Sequence, residues 1–150
     1  MPPNPGLDQV LVSYRTALAA APASLTAVPQ GVAIKDPPAT NAKWFSLKVA
    51  SGPKLEDGFG AGIPHYSAEL KLEIHWNPEL NEETISNTIG TDVENATATM
   101  LKLANRPSWS GGAVMEVAIA QPGRVTDTKQ NDIWWIGTYR VDYRLTVDLT

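Results

Sequence analysis

In residues 133–149 every second position from Ile133 onwards is apolar or glycine, and this pattern constrains the fold more than any other part of the sequence. Successive side chains of a β-strand point to opposite faces, so the pattern predicts one strand with an apolar core face. At about 3.3 Å per residue such a strand spans roughly 55 Å. A compact domain of 150 residues is only about 40 Å across. We therefore expect the strand to bend, for instance at Gly137, or to pair with another subunit.

The opposite face of this strand is predicted to form a subunit or partner interface. Trp134 and Ile136 are neighbours on it, and aromatic residues are enriched at interfaces. Charges of both signs follow, which suits a charged neighbour and discourages aggregation. The alternative is that a loop or a helix of the same chain covers Trp134. The candidate interface residues are Trp134, Ile136, Arg140, Asp142, Arg144 and Asp148.

Two segments have the apolar spacing of amphipathic helices. Residues 7–21 form the first, and Pro22 ends it. Residues 81–105 form the second, followed by Pro107. The second segment is rich in Thr and Asn, which are indifferent helix formers, and Gly90 is a weak point. It is therefore either one helix or two shorter ones.

Further strands are predicted where short segments alternate or are rich in β-branched and aromatic residues. They comprise residues 44–50, 66–76 and 113–120, with a short additional strand possible at 32–35. Consecutive strands with short links favour antiparallel pairing. We expect one α+β domain over residues 1–150, with a single mixed or antiparallel sheet of four to five strands and two helices packed on one face. Segments rich in Pro, Gly or polar residues are predicted to be flexible: 1–6, 29–42, 51–65 and 121–131.

Composition excludes several classes of function. The net charge is −4 and no basic cluster is present, which argues against a dedicated nucleic-acid-binding protein. The chain has no cysteine, so disulfides, thiolate catalysis and zinc–thiolate sites are excluded. The first residues lack the features of a signal peptide, and no apolar run is long enough to span a membrane. We therefore expect a soluble protein inside the cell.

No constellation of residues predicts catalysis, a cofactor or a metal. The glycines between residues 52 and 62 lead into a strand, whereas a phosphate-binding loop leads into a helix. A metal site on the outer face of the strand 66–76 would draw on Glu69, Glu73 and His75, but Lys71 lies between the two carboxylates and opposes a cation. We predict no catalytic, cofactor-binding or metal-binding residues, and hence no enzyme.

The order of these elements resembles that of the tail terminator, or tail completion, proteins of long-tailed bacteriophages. The resemblance rests on the helix at 7–21, the Pro-rich crossover, the long loop before an alternating strand, the Thr/Asn-rich helix and the closing strand, which begins Trp-Trp-Ile-Gly-Thr-Tyr-Arg. It extends over nearly the whole chain and is one of organisation, since the family has no catalytic motif.

The resemblance implies a structural protein of the virion, located at the tail–head junction and assembled in the host cytoplasm. Such proteins form a ring, usually a hexamer, that caps the tail tube and receives the head connector or neck protein. The implied partners are further copies of the chain, the tube protein and the connector, with no membrane and no cofactor. DNA would pass through the ring without sticking, as an acidic protein permits. A loop facing the lumen or an axial partner would include Lys54, Glu56, Asp57, Gly58, Phe59 and Gly60.

Two alternatives remain open from the sequence. One is another phage head–tail connector or neck protein with a related fold. The other is a small ligand-binding α+β module with a pocket between helix and sheet. The second alternative needs polar groups on an inward face, and the predicted inward faces are almost purely apolar.

Overall fold

The computed structural model describes residues 6–20, 23, 25–27, 43–56, 65–76, 82–109, 111–128 and 132–145. Two α-helices and a sheet account for most of them. The helices are α1 (Leu7–Ala19) and α2 (Glu82–Leu101), and a short 3-10 helix follows at Leu103–Asn105. The strands are β1 (Thr26–Ala27), β2 (Lys43–Glu56), β3 (His65–Trp76), β4 (Ser108–Trp109), β5 (Gly112–Thr128) and β6 (Asp132–Leu145).

Within the described residues, the six strands form one sheet in the order β1-β2-β3-β6-β5-β4. The four long strands are antiparallel to their neighbours, and the two-residue strand β1 is parallel to β2. The predicted α+β class with a single sheet and two helices is confirmed. The two shortest strands have no periodic pattern that a sequence could reveal, because each has only two residues.

One face of the sheet carries the hydrophobic core. On β3 the side chains of Ala68, Leu70, Leu72 and Ile74 are buried, and on β6 those of Trp135, Tyr139, Val141 and Tyr143. Helix α1 packs on this face through Leu7, Val10, Leu11, Tyr14 and Leu18. The Arg15 guanidinium also donates a hydrogen bond of 2.7 Å to the Leu47 carbonyl of β2. Helix α2 contributes Ile89, Ala96 and Met100, and it contacts both α1 and β5. The expectation that both helices cover the same face is therefore met.

Two segments predicted to be flexible are partly strand. The predicted loop at 51–65 begins inside β2, which continues to Glu56, and the predicted connection at 121–131 begins inside β5, which continues to Thr128. Both predictions were wrong at those residues because β-bulges carry each strand past its Pro-Gly or Gly-Pro pair. The register shifts lie between Val49 and Lys54 in β2 and between Ile119 and Arg124 in β5.

The predicted overrun of the last strand is also corrected. Strand β6 lies inside the sheet and pairs along its length with β3 on one side and β5 on the other. Strand β5 is longer still, at 17 residues. The 14 residues of β6 are accommodated because its neighbours, with 12 and 17 residues, are also long, so over the described residues β6 offers no edge to another subunit. Predicted positions 146–149 lie outside the described residues, as do 1–5, 28–42 and the proposed strand at 32–35.

Gly137 of β6 makes room for the side chain of Trp135. A Cβ atom built on Gly137 would lie 2.3 Å from the indole of Trp135, and one built on Gly123 of β5 would lie 2.0 Å from it. Real side chains cannot approach so closely, so the ring lies across two positions that only glycine can occupy. The two glycines thus fix the position of a large buried side chain between β5 and β6.

Candidate functional site

The outer face of the sheet, opposite the helices, is the candidate site. The predicted interface residues Trp134, Ile136, Arg140, Asp142 and Arg144 all lie on β6 opposite outer-face residues of β3. Asp148 lies outside the described residues, and so do Asp57, Gly58, Phe59 and Gly60 of the predicted loop. Lys54 and Glu56 belong to β2, where they pair with Ser67 and His65. The face divides into an aromatic end and a charged end.

The aromatic end is a row of three rings across three strands. Trp44 of β2 is opposite His75 of β3, and His75 is opposite Trp134 of β6. The His75 and Trp134 ring centroids are 5.6 Å apart. Because Trp134 packs beside it, His75 is only 5% exposed although it lies on the outer face. Trp134 itself is half-buried, so it is neither fully covered by its own chain nor fully exposed.

Glu73 connects this row to the charged part of the face. Its carboxylate lies 3.2 Å from Lys71 Nζ and 3.5 Å from His75 Nε2. His75, and with it Lys71, lowers the pKa of Glu73 to about 2, and partial burial opposes this only in part. Lys71 and Glu73 thus form an ion pair on the outer face of β3.

The charged end contains a cleft of about 300 Å³ beside the β2 bulge. Arg140 lies at this cleft and donates a hydrogen bond of 3.2 Å to Asp142. The other lining residues are Ser51, Gly52, Lys54, Ser67, Ala68 and Glu69. Lys54 and Arg140 were predicted in two separate sites, a lumen loop and an interface. The structure brings them to one surface because the bulged strand β2 continues alongside β3.

A second cleft, of about 190 Å³, opens on the helix side between α2 and the β5–β6 pair. Its walls include Val93, Ile119 and Trp135, and the hydroxyls of Thr97 and Tyr139 meet there at 3.2 Å. Burial raises the pKa of Tyr139, and its hydrogen bond with Thr97 opposes this effect. Ligand pockets usually measure about 300–1,000 Å³, so this cleft is sized for a side chain rather than a metabolite.

Sequence reasoning missed the polar contact that ties α2 to the sheet. Trp76 Nε1 donates a buried hydrogen bond of 2.8 Å to Asp92 Oδ2. Asp92 is only 3% exposed, whereas an aspartate in the middle of a helix usually lies at the surface. The helical spacing could have predicted this burial, because Asp92 adjoins Val93 and lies three residues after Ile89 on the inward-facing side of α2.

Two kinds of feature are absent from the described part of the chain. No three side chains of His, Cys, Asp or Glu are grouped there in a way that would hold a metal ion. Neither α1 nor α2 combines the length and the apolar character that crossing a membrane requires.

Comparison with known proteins indicates the fold. No protein-family model matches the sequence, and no curated protein does. A chain of the virion of a native gene transfer agent (GTA) particle has a similar structure, with a TM-score of 0.59 at 9% sequence identity. The match covers 91% of this chain and 95% of that one. A second solved chain covers 97% of this chain at 12% identity, but its TM-score of 0.48 is too low to support an argument. The fold is therefore one that a virion component also adopts.

Proposed function

We propose that this protein is a structural component of a phage-like virion, and that it caps the tail tube as an oligomeric ring and forms the joint to the head connector. The observation that carries the proposal is the fold shared with a virion chain over nearly the full length of both proteins. The structural match covers nearly all of both chains, so it compares two whole subunits and not only a supersecondary motif that many folds share.

The surfaces of the chain support an assembly role. The outer face joins an aromatic row to a field of mixed charge, and both suit contact with another protein. The helix-side cleft, at about 190 Å³, is smaller than most metabolite pockets, and the charged cleft, at about 300 Å³, is at the lower end of their range. We propose no catalytic role. The net charge of −4 is compatible with a ring through which DNA slides, since like charges repel.

The second candidate is another head–tail connector or neck protein, and the two differ in the partner bound. A terminator binds the end of the tail tube, whereas a connector bound to the head side binds the portal. Co-sedimentation with purified tail tubes of the same virus tests the choice. We expect the wild-type protein to pellet with tubes, at a ratio of one ring per tube rather than along the tube wall. A protein that remains in the supernatant with tubes, and pellets with portal assemblies, is a connector instead.

A further inference from the structure

We infer that copies of this chain join head to tail through the two opposite edges of the sheet, with the β2 edge of one copy against the β5 edge of the next. The inference rests on the proposed ring and names the surfaces that build it. Within the described residues both edges are open over most of their length. On the β5 edge, Arg106 donates a hydrogen bond of 2.7 Å to the Met115 carbonyl, and Val114 N donates one of 3.0 Å to the Pro107 carbonyl. Strand β1 pairs with β2 only at Trp44 and Phe45, and β4 pairs with β5 only at Gly112 and Ala113. The rest of each edge strand has a long-strand neighbour on one side only.

The first observation is a row of outer-face residues that ends in opposite charges. Across the sheet, Lys54 of β2 is opposite Ser67, Ser67 is opposite Asp142, and Asp142 is opposite Glu116 of β5. Lys54 and Glu116 are both exposed. Glu116 faces the Asp142 carboxylate across its own strand pair, where the Arg140–Asp142 ion pair of 3.2 Å offsets only part of the like-charge repulsion. A lysine from a neighbouring copy at this level would relieve that repulsion.

The second observation is a row on the helix side that ends in apolar residues at both edges. Val49 of β2 is opposite Leu70, Leu70 is opposite Tyr139, and Tyr139 is opposite Ile119 of β5. The two central side chains are buried, whereas Val49 is 37% and Ile119 is 50% exposed. Single exposed apolar side chains are ordinary. These two differ because they terminate one row at the same level on opposite edges.

The helix-side cleft supplies a receiving surface at the β5 edge. Ile119 lines this cleft together with Val93 and Trp135. A protruding apolar residue at one edge and an apolar cleft at the other make a heterologous contact, which repeats from copy to copy and closes into a ring when the rotation permits. Val49 of the next copy is the side chain at the matching level.

Strand direction is compatible with this contact. Strands β2 and β5 run in opposite directions, because three antiparallel pairings separate them. Copies related by an axis parallel to the strands therefore present antiparallel edges to one another. Pro53 and Pro122 lack an N–H and interrupt the two edges, so the contact is made by side chains rather than by a continuous ladder.

Reversal of charge tests the first row, with light scattering and native mass spectrometry as readouts. Lys54→Glu and Glu116→Lys should each raise the concentration for half-assembly by at least about tenfold, because each brings like charges together between copies. The double variant should restore assembly. Glu116→Lys also places a lysine opposite Asp142, so lost assembly cannot be attributed to a weakened fold. Lys102→Glu, an equal charge change at an exposed position outside both edges, is the matched control and should assemble normally.

Cysteine pairing tests the second row, since the chain has no cysteine of its own. Three strand spacings separate Val49 from Ile119 within one copy, or roughly 14 Å, too far for a disulfide. Mild oxidation of the double variant Val49→Cys/Ile119→Cys should therefore link neighbouring copies by disulfides. A denaturing gel without reductant should show a ladder of bands that ends at the number of copies in the ring. Each single variant should stay unlinked, and a mixture of the two should give heterodimers.

The outcomes separate this inference from the proposed function. If single charge reversals leave the oligomer intact, or if two copies of the Val49→Cys variant form a disulfide with each other, the edges do not join the copies. The proposal that the protein forms a ring is not affected by either result. A wild-type protein that stays monomeric yet binds tail tubes also overturns the edge contact and leaves the tube-capping role. A monomer that ignores tubes overturns both.

Discussion

Sequence periodicity predicts which face of a strand a side chain lies on, but it does not predict the contacts that the side chain makes with neighbouring strands. Alternation correctly assigns Val141 to the core face of β6, where it is fully buried. It does not indicate that Trp135 needs glycine at two positions, Gly137 on its own strand and Gly123 on the neighbouring one. The second requirement depends on the register between β5 and β6, which a bulge shifts.

Val141→Asp is expected to unfold the domain. It places a charge among the apolar side chains of the described core, and such substitutions cost several kcal/mol. Circular dichroism followed during heating should show no cooperative thermal transition. Melting like that of the wild type would mean that the facing of β6 is inverted.

Gly137→Ala is expected to destabilise the fold by about 2 kcal/mol or more, because the new methyl group overlaps the Trp135 indole and overpacking displaces it. The midpoint of urea unfolding and the fluorescence maximum of the tryptophans should both shift. Gly90→Ala serves as the control for an added methyl group without overlap, since nothing lies within 4 Å of a Cβ at that helical position, and it should neither lower the urea midpoint nor shift the fluorescence.

The free energy of unfolding should fall in acid because the Glu73 carboxylate becomes protonated. The folded-state pKa of about 2 lies below the ordinary value of 4.5, so the charged form is favoured by folding. This contribution is present above pH 4.5 and is lost as the pH falls towards 2. Glu73→Gln should cost on the order of 1–2 kcal/mol at pH 7, because the pair is partly exposed to solvent, and the difference from wild type should vanish near pH 2. A constant difference between pH 7 and pH 2 would contradict this assignment.

At the scale of elements, the pattern of apolar residues predicted both helices and the long strands, but not where β2 and β5 end. Gly-Pro and Pro-Gly pairs normally terminate strands, and the predicted loops followed from that rule. Here bulges absorb the extra residues and the pairing resumes beyond them. Bulges are set by the partner strand, so the sequence of one strand cannot reveal them.

Helix α2 is continuous through Gly90, which the sequence left as either one helix or two. Gly90 is exposed and no neighbour would obstruct a methyl group there. Gly90→Ala should therefore stabilise the protein by about 0.5–1 kcal/mol, the difference in helix propensity. Chemical denaturation measures it, and an unchanged or lower stability would mean that the helix requires the glycine.

At the scale of the whole molecule, the sequence predicted the candidate surfaces separately and the fold brings them together. The outward residues of β6 were identified by alternation, and Lys54 was assigned to a loop. Their meeting at one cleft follows from β2–β3–β6 register, which pairs Lys54 with Ser67 and Ser67 with Asp142. No periodicity within one strand carries that information.

The outer face remains available to an axial partner when the edges join the copies. Arg144 is exposed on this face, so Arg144→Ala should leave the thermal transition nearly unchanged, within about 0.5 kcal/mol. It should weaken co-sedimentation with tail tubes through the loss of an interfacial charge. Unchanged tube binding would place the axial contact on another surface.

Negative-stain electron micrographs of the purified protein test the proposed ring most directly. We expect closed rings of uniform diameter, because head-to-tail contacts that close limit the number of copies. Single particles of one 16.2 kDa subunit at every concentration, or open fibres of unlimited length, would contradict the account.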